Sequence, residues 1–317
     1  MNEFLFVKGF TWRMVYDPDQ SFAGNRAKES LQTLKETTGI DTIVLAIEAK
    51  QATAHTEEID FQGKFTPTDE EVREMIRYAK EIGLRVILKP MLNCLDGTWR
   101  AYINFFDLEV PCEPKWSNWF INYTNYIRHF AGLAEETGCE MLIIGCELVM
   151  TDRQEMFWRK LIEEIRKVYS GLLTYNADKY QEGEVKWWDA LDVISSSGYY
   201  PIDQWDENLD RIEQVIHKFK KPFFFAECGC PCREGSSFIP NDWTHTGKLS
   251  LEEQRRYYEV MFEKGKERSW LNGYACWDWT SVYLYEPAPS VNMGYGVYGK
   301  PAANVIKSFY EKEKIIL

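Results

Sequence analysis

Met141-Leu142-Ile143-Ile144-Gly145-Cys146-Glu147-Leu148 is an apolar run that stops abruptly at a carboxylate. A short apolar run bounded by turn signals reads as an interior strand of a parallel sheet, buried on both faces. A glutamate at the C-terminal end of such a strand stands where an α/β barrel builds its active site. The pattern returns at Pro222-Phe223-Phe224-Phe225-Ala226-Glu227-Cys228. Two strands that each end in a glutamate suggest a carboxylate pair facing one cleft, the arrangement used in glycoside hydrolysis.

Outward from these strands the chain alternates between two periods. Residues 4–12, Thr42 to Ala49, Leu84 to Met91, Leu172 to Asn176, Asp192 to Tyr200 and Gly273 to Trp279 read as further strands. Between them apolar residues recur at helical spacing. Ala27, Leu31 and Leu34 mark one helix, and Trp119, Tyr123, Ile127 and Phe130 another. A capping box at Thr68 and Glu71 opens the helix carrying Val72, Met75, Ile76 and Ala79. Thr151 and Gln154 are expected to cap a helix with Phe157, Leu161, Ile165 and Val168 on its inner face. Leu209, Ile212, Val215, Ile216 and Phe219 mark the next, and the pair Ser250 and Glu253 opens one from 251. Val305, Ile306 and Phe309 lie on a terminal helix. Only the fifth connection, with Trp187 and Trp188, is short. The reading is a single (β/α)8 barrel, an α/β fold, over residues 1–317. A doubly wound open sheet is the alternative, but no GxGxxG follows the first strand. Two long loops, about 92–115 and 228–249, are expected to shape a functional cleft.

Composition narrows the function. Hydrophobic residues make up 45% of the 317, enough for a large core. Aromatic residues reach 15%, more than a core needs, and aromatic faces hold sugar rings. A net charge of -12 argues against nucleic acid and anionic membranes as partners. No run of about 18 apolar residues predicts a membrane span. The start lacks the basic and apolar regions of a signal peptide, so a cytoplasmic protein with eight reduced cysteines is expected.

Candidate site residues follow from position. Trp277 and Trp279 end the last strand, where one could form a floor under a sugar and at least one is barrel packing. Trp12, Trp99, Tyr199 and Tyr200 share the expected upper face, as binding or as loop packing. Lys89 ends the third strand and could bond a hydroxyl, a carboxylate or a structural ion partner. Asn93, Asn176 and Asp178 are further polar candidates near strand ends. Cys228-Gly229-Cys230-Pro231-Cys232 lacks the paired CxxC knuckles of a zinc site, and the four histidines show no ligand spacing. No metal and no cofactor is expected.

The chain resembles glycoside hydrolase family 113, the β-mannanases of a large retaining (β/α)8 clan. Lys8-Gly9-Phe10-Thr11, Leu88-Lys89-Pro90 with Gly97-Thr98-Trp99-Arg100, and Gly145-Cys146-Glu147-Leu148 carry the resemblance. Phe157-Trp158-Arg159, Leu173-Thr174-Tyr175, Gly198-Tyr199-Tyr200-Pro201 and Phe225-Ala226-Glu227 continue it in order. The resemblance implies Glu147 as acid/base and Glu227 as nucleophile. It also implies Tyr199 near the nucleophile, Trp277 as sugar platform, and β-1,4-linked mannan or manno-oligosaccharides as substrate. Three positions depart from the clan pattern. Cys146 stands for an asparagine, Met91 for a histidine and Ser197 for an aspartate. Other readings are a same-clan β-glycosidase acting on glucan or xylan, a sugar-binding barrel without turnover, and a thiol or metal enzyme using the cysteines.

Overall fold

The computed structural model describes residues 4–312. Eight parallel strands close in chain order: β1 Val7–Arg13, β2 Thr42–Gln51, β3 Arg85–Cys94, β4 Met141–Cys146, β5 Leu172–Ala177, β6 Ile194–Gly198, β7 Phe223–Cys228 and β8 Leu271–Thr280. Helices α1 Asn25–Thr38, α2 Asp69–Glu81, α3 Trp116–Thr137, α4 Glu155–Arg166, α5 Trp205–Phe219, α6 Leu251–Lys266 and α7 Pro301–Lys312 surround them. The fold is a (β/α)8 barrel. β8 closes on β1 from Val7 opposite Gly273 to Arg13 opposite Thr280. The Tyr310 hydroxyl of α7 locks that seam by donating to the Gly9 carbonyl at 2.9 Å.

The two-residue pleat sorts each strand. One set of side chains, including Val7, Val44, Ile87, Met141, Val193, Phe224 and Ala275, fills the barrel interior. Above it Ala46, Met91, Cys146, Tyr199, Trp277 and Tyr295 form a second layer under the mouth. The alternate set, with Phe10, Leu45, Leu88, Ile144 and Phe225, packs outward against the helices.

The connections follow local chemistry, with some corrections. Thr68 and Glu71 make a full reciprocal capping box, and Gly39 and Gly138 end their helices in the left-handed region. Ser250 accepts from the Glu253 N–H, but the Glu253 carboxylate turns to the Ser237 N–H at 3.1 Å, so that box is half made. Thr151 does not cap α4; its hydroxyl donates to the Leu148 carbonyl within a 3-10 turn. Trp158 and Ile162 join Leu161 and Ile165 as the fully buried residues of α4, while Phe157, stacked on Phe120 at 4.9 Å, and Val168, just past the helix end, are partly buried against the core. The expected loop from 92 is shorter, because β3 runs to Cys94. After β5 a 3-10 turn, Trp188–Ala190, replaces a helix. Trp187 and Trp188 fill that space, Trp187 stacked on Trp158 at 4.7 Å. No helix among the described residues is long and apolar enough to cross a membrane.

Candidate active site

The C-terminal strand ends open into a cleft of about 600 Å³. On regular strands, alternation alone delivers the lining. β2 and β3 pair without interruption from Thr42 opposite Arg85 to Gln51 opposite Cys94. Glu48 therefore lies in step with the inward Val44 and Ala46, and Lys89, Met91 and Asn93 with the inward Ile87.

The two strands that carry the glutamates are irregular. Against β5, the register of β4 passes from Ile143 opposite Thr174 to Cys146 opposite Asn176, three steps against two. Against β6, β7 passes from Phe225 opposite Ser196 to Glu227 opposite Ser197, two steps against one. A bulge re-aims the residues that follow it. Here it lets Cys146 and Glu147, and Ala226 and Glu227, point successively inward, which a regular pleat forbids. Gly145 is required within the β4 bulge, since a Cβ there would lie 2.9 Å from the Tyr175 ring and 3.0 Å from Trp158. Glu147 itself has φ 52, a left-handed conformation that costs a non-glycine residue free energy. A buried clamp holds it there. The next N–H, of Leu148, donates to the Tyr175 hydroxyl at 2.9 Å, and that hydroxyl donates to Asp152 Oδ1 at 2.6 Å. Burial, with the charge of Asp178, pushes the Asp152 carboxyl well above the usual carboxylate range.

Glu227 is 2% exposed and surrounded by donors. The Lys89 ammonium pairs with Oε1, the Cys146 thiol donates to Oε1 at 3.3 Å, and the Tyr199 hydroxyl donates to Oε2 at 2.9 Å. Burial opposes ionisation, but the charges of Lys89 and Arg100 outweigh it and hold the carboxyl below its ordinary range. Lys89 is held above its ordinary value because the glutamates outweigh its own desolvation. The Cys146 thiol, pushed up by burial, is neutral at pH 7 and acts as a donor, not as a charge.

Glu147 meets different partners. Ser197 donates to its Oε1 at 2.7 Å. Arg100 approaches its Oε2 at 3.3 Å and the Trp99 indole N–H approaches the same oxygen at 3.4 Å. Both come from the loop after β3. Asn176 joins the two carboxylates. It accepts from Lys89 at 2.7 Å and donates to Ser197 at 3.0 Å, so one hydrogen-bonded chain runs Glu227, Lys89, Asn176, Ser197, Glu147. Asp178, beyond β5, lines the cleft, and burial together with the Glu147 charge pushes its carboxyl up to about 7.

Trp277 lies on the cleft wall, with the Arg13 guanidinium 5.3 Å from its ring centroid. Arg13 bridges Glu48 at 3.2 Å and Asp278 at 2.7 Å, and Glu48 also holds Lys50 at 2.6 Å. A charged rim thus flanks a polarisable ring, an arrangement suited to a neutral, hydroxyl-rich ligand.

Of the twelve positions expected at the site, Asn93, Trp99, Glu147, Asp178, Tyr199, Glu227 and Trp277 line the cleft. Lys89 and Asn176 lie beneath it as bonding partners. Trp12, Tyr200 and Trp279 require correction: each is fully buried and faces the helices. Trp12 and Tyr200 sit one residue out of phase with the inward Thr11 and Tyr199. The register shift between β1 and β8 turns Trp279 outward, where its indole donates to Ser30 at 2.9 Å. Tyr200 donates to Glu182 at 2.5 Å, in an ion-paired cluster with Arg211. Arg13, Glu48, Lys179, Asn241 and Trp243 also line the cleft and were not expected there. Arg13 and Glu48 were findable by extending the inward phase of β1 and β2; Asn241 and Trp243 sit in an aperiodic loop with no such signal. Among the described residues no group of three His, Cys, Asp or Glu is placed to hold a metal, and the eight cysteines are free thiols.

Residues 10–300 match the family model of Glycoside Hydrolase Family 113. A solved β-1,4-mannanase of that family shares 52% identity over 97% of this chain and 99% of its own, with a TM-score of 0.93. The β-mannanase of the same family from Alicyclobacillus acidocaldarius, solved with ManMIm, shares 37% identity over 97% of both chains, with a TM-score of 0.91. A β-glucuronidase from Ruminococcus gnavus, 17% identical over 98% of this chain and half of its own, shares the fold with a TM-score of 0.66. No match is found among curated proteins. With the matched model spanning most of the chain and two such relatives aligned end to end, the chain belongs to Glycoside Hydrolase Family 113.

Proposed function

We propose that this chain is one catalytic domain that hydrolyses β-1,4-mannosidic bonds with retention of configuration. The observation that carries the proposal is the pair of unlike carboxylates, Glu147 and Glu227, in one cleft. Glu227, kept ionised by Lys89 and oriented by Tyr199, is the nucleophile. It attacks the anomeric carbon as the bond to the leaving oxygen breaks, and Glu147 gives that oxygen its proton. Water then enters. Glu147 takes its proton, the hydroxide attacks the anomeric carbon, and the bond to Glu227 breaks. Tyr199 can follow the Glu227 oxygen as charge leaves and returns. Trp277 supplies the ring face under the sugar, and Asn93 and Asp178 supply polar contacts on the wall. No step calls for a cofactor. Eight free thiols fit a reducing cytoplasm.

The mannanases aligned above favour mannan and manno-oligosaccharides over other β-linked glycans. The test is product analysis with manno-, cello- and xylo-oligosaccharides side by side, with the anomer of the first product read by NMR. Cleavage of the manno series giving the β-anomer is expected. Cleavage of another series reassigns the sugar, and an initial α-anomer overturns the double displacement. Glu227→Ala should abolish turnover and regain part of it with azide. A variant that kept normal turnover would sink the nucleophile assignment.

A further inference from the structure

We propose that the cleft continues over its rim into a second groove that takes a sugar ring distal to the cleaved bond, with Tyr102 as its platform; this rests on the glycosidase reading above. The groove encloses about 500 Å³ between the loops after β2 and β3 and the turn after β4, with Thr53, His55, Asp96, Tyr102 and Met150 on its walls. Thr98 lines both hollows, so they share a wall. Trp99 and Tyr102 stand one on each side of that wall, ring centroids 5.9 Å apart and nearly perpendicular. Trp99 reaches Glu147, so the aromatic path begins at the reacting carboxylates and runs outward.

Tyr102 is 61% exposed, yet its support is rigid. Its N–H donates to the Trp99 carbonyl at 3.0 Å, closing a 3-10 turn. Ala101 and Ile103 on either side are buried, and the Asn104 N–H donates to the Ala54 carbonyl at 3.2 Å. Arg153 holds the Asn104 side chain at 2.7 Å. His55 is fixed through Nδ1 to the Asn104 carbonyl at 2.8 Å, and Asp96 is fixed by the Thr98 N–H at 2.9 Å. A large ring held open to water beside a carboxylate, an imidazole and hydroxyls suits a neutral polyhydroxylated ring. Its C–H face can stack on Tyr102 while its hydroxyls bond the rim. The Asp96 charge disfavours an acidic sugar.

The test is kcat/KM of the wild type, Tyr102→Ala and Tyr102→Phe on manno-oligosaccharides of rising length, with thermal midpoints as the folding check. The wild-type value is expected to rise with length. In Tyr102→Ala the loss should grow with length, reaching about tenfold on the longest chains, the size of one stacked ring. Tyr102→Phe should keep the wild-type length profile. A loss equal at every length, or no loss at any, overturns the distal site while leaving the hydrolase reading intact. A wild type that cleaves no β-linked oligosaccharide overturns both.

Discussion

Glu227 and Glu147 end two strands of one barrel, yet their surroundings are opposites. Glu227 is set in a fully buried nest whose cation, Lys89, comes from the uninterrupted register of β2 and β3. Glu147 sits at a bulged, left-handed turn, and its cation, Arg100, comes from a loop. A nucleophile must stay ionised and still. A proton donor must gain and lose charge within one cycle, so a looser and less committed cationic partner serves it better. On the roles proposed above, the difference teaches which part of the fold each needs: the regular β2–β3 wall supplies the fixed cation of the nucleophile, and the loop after β3 supplies the looser cation of the acid.

Exchanging substrates gives the largest contrast. Glu227→Ala should lose at least about 10⁴-fold in turnover on every substrate. Glu147→Ala should lose as much on manno-oligosaccharides but far less in the first step on an aryl glycoside whose leaving group needs no proton. Equal losses on both substrates would break the contrast between the two roles.

Lys89→Met removes the cation under Glu227 and leaves a buried carboxylate unpaired, at a cost of about 3–5 kcal/mol in unfolding free energy near pH 7. Glu227 is depressed in the folded state, so its stabilisation is present above its unfolded value and is lost as pH falls through the folded one. The deficit of Lys89→Met should therefore shrink in acid, as denaturant melts from pH 7 downward would reveal. A deficit constant with pH would mean that Lys89 acts by packing alone.

Arg100→Met should be milder in stability, about 1–2 kcal/mol, because Glu147 keeps the Ser197 hydroxyl and the Trp99 indole N–H as donors and its pair with Arg100 is less deeply buried. Chemical melts of Arg100→Met and Lys89→Met side by side would rank the two cations. The reverse order would contradict the asymmetry drawn here.

The smallest effect concerns Asp178, whose carboxyl ionises at about 7 beside Glu147. Asp178→Asn removes that ionisation, so the inflection near pH 7 in the kcat/KM profile should be lost in the variant. An inflection kept near pH 7 would remove Asp178 from the pH dependence.

The barrel was legible because its strands are apolar runs too short for helices and its helices carry clean amphipathic faces. Glu147 and Glu227 stood out as charges ending such runs, and Lys89 for the same reason. The direction of each side chain was less legible. Trp12 and Tyr200 looked like neighbours of the cleft, although counting the pleat from Thr11 and Tyr199 turns both toward the helices. Trp279 could not be placed by counting, since a register shift intervenes. The β4 and β7 bulges left no mark except Gly145, and a glycine in a strand has several meanings. Trp243 belongs to a segment without period, placed by long-range contacts such as its ring against Tyr295 at 4.7 Å.

The seam between β8 and β1 has a consequence for synthesis. Gly9 and Tyr310, bonded across it, lie 301 residues apart. A ribosome adding about 5–20 residues per second exposes β1 long before its second neighbour exists. Until then β1 is an open edge carrying Phe10 and Trp12, the kind of edge that pairs with other nascent chains. Arg13 likewise waits for Asp278 to complete its ion pairs. The nascent chain thus carries a long interval of aggregation risk, and chaperone protection during translation, ending only as α7 emerges, is the need this topology creates.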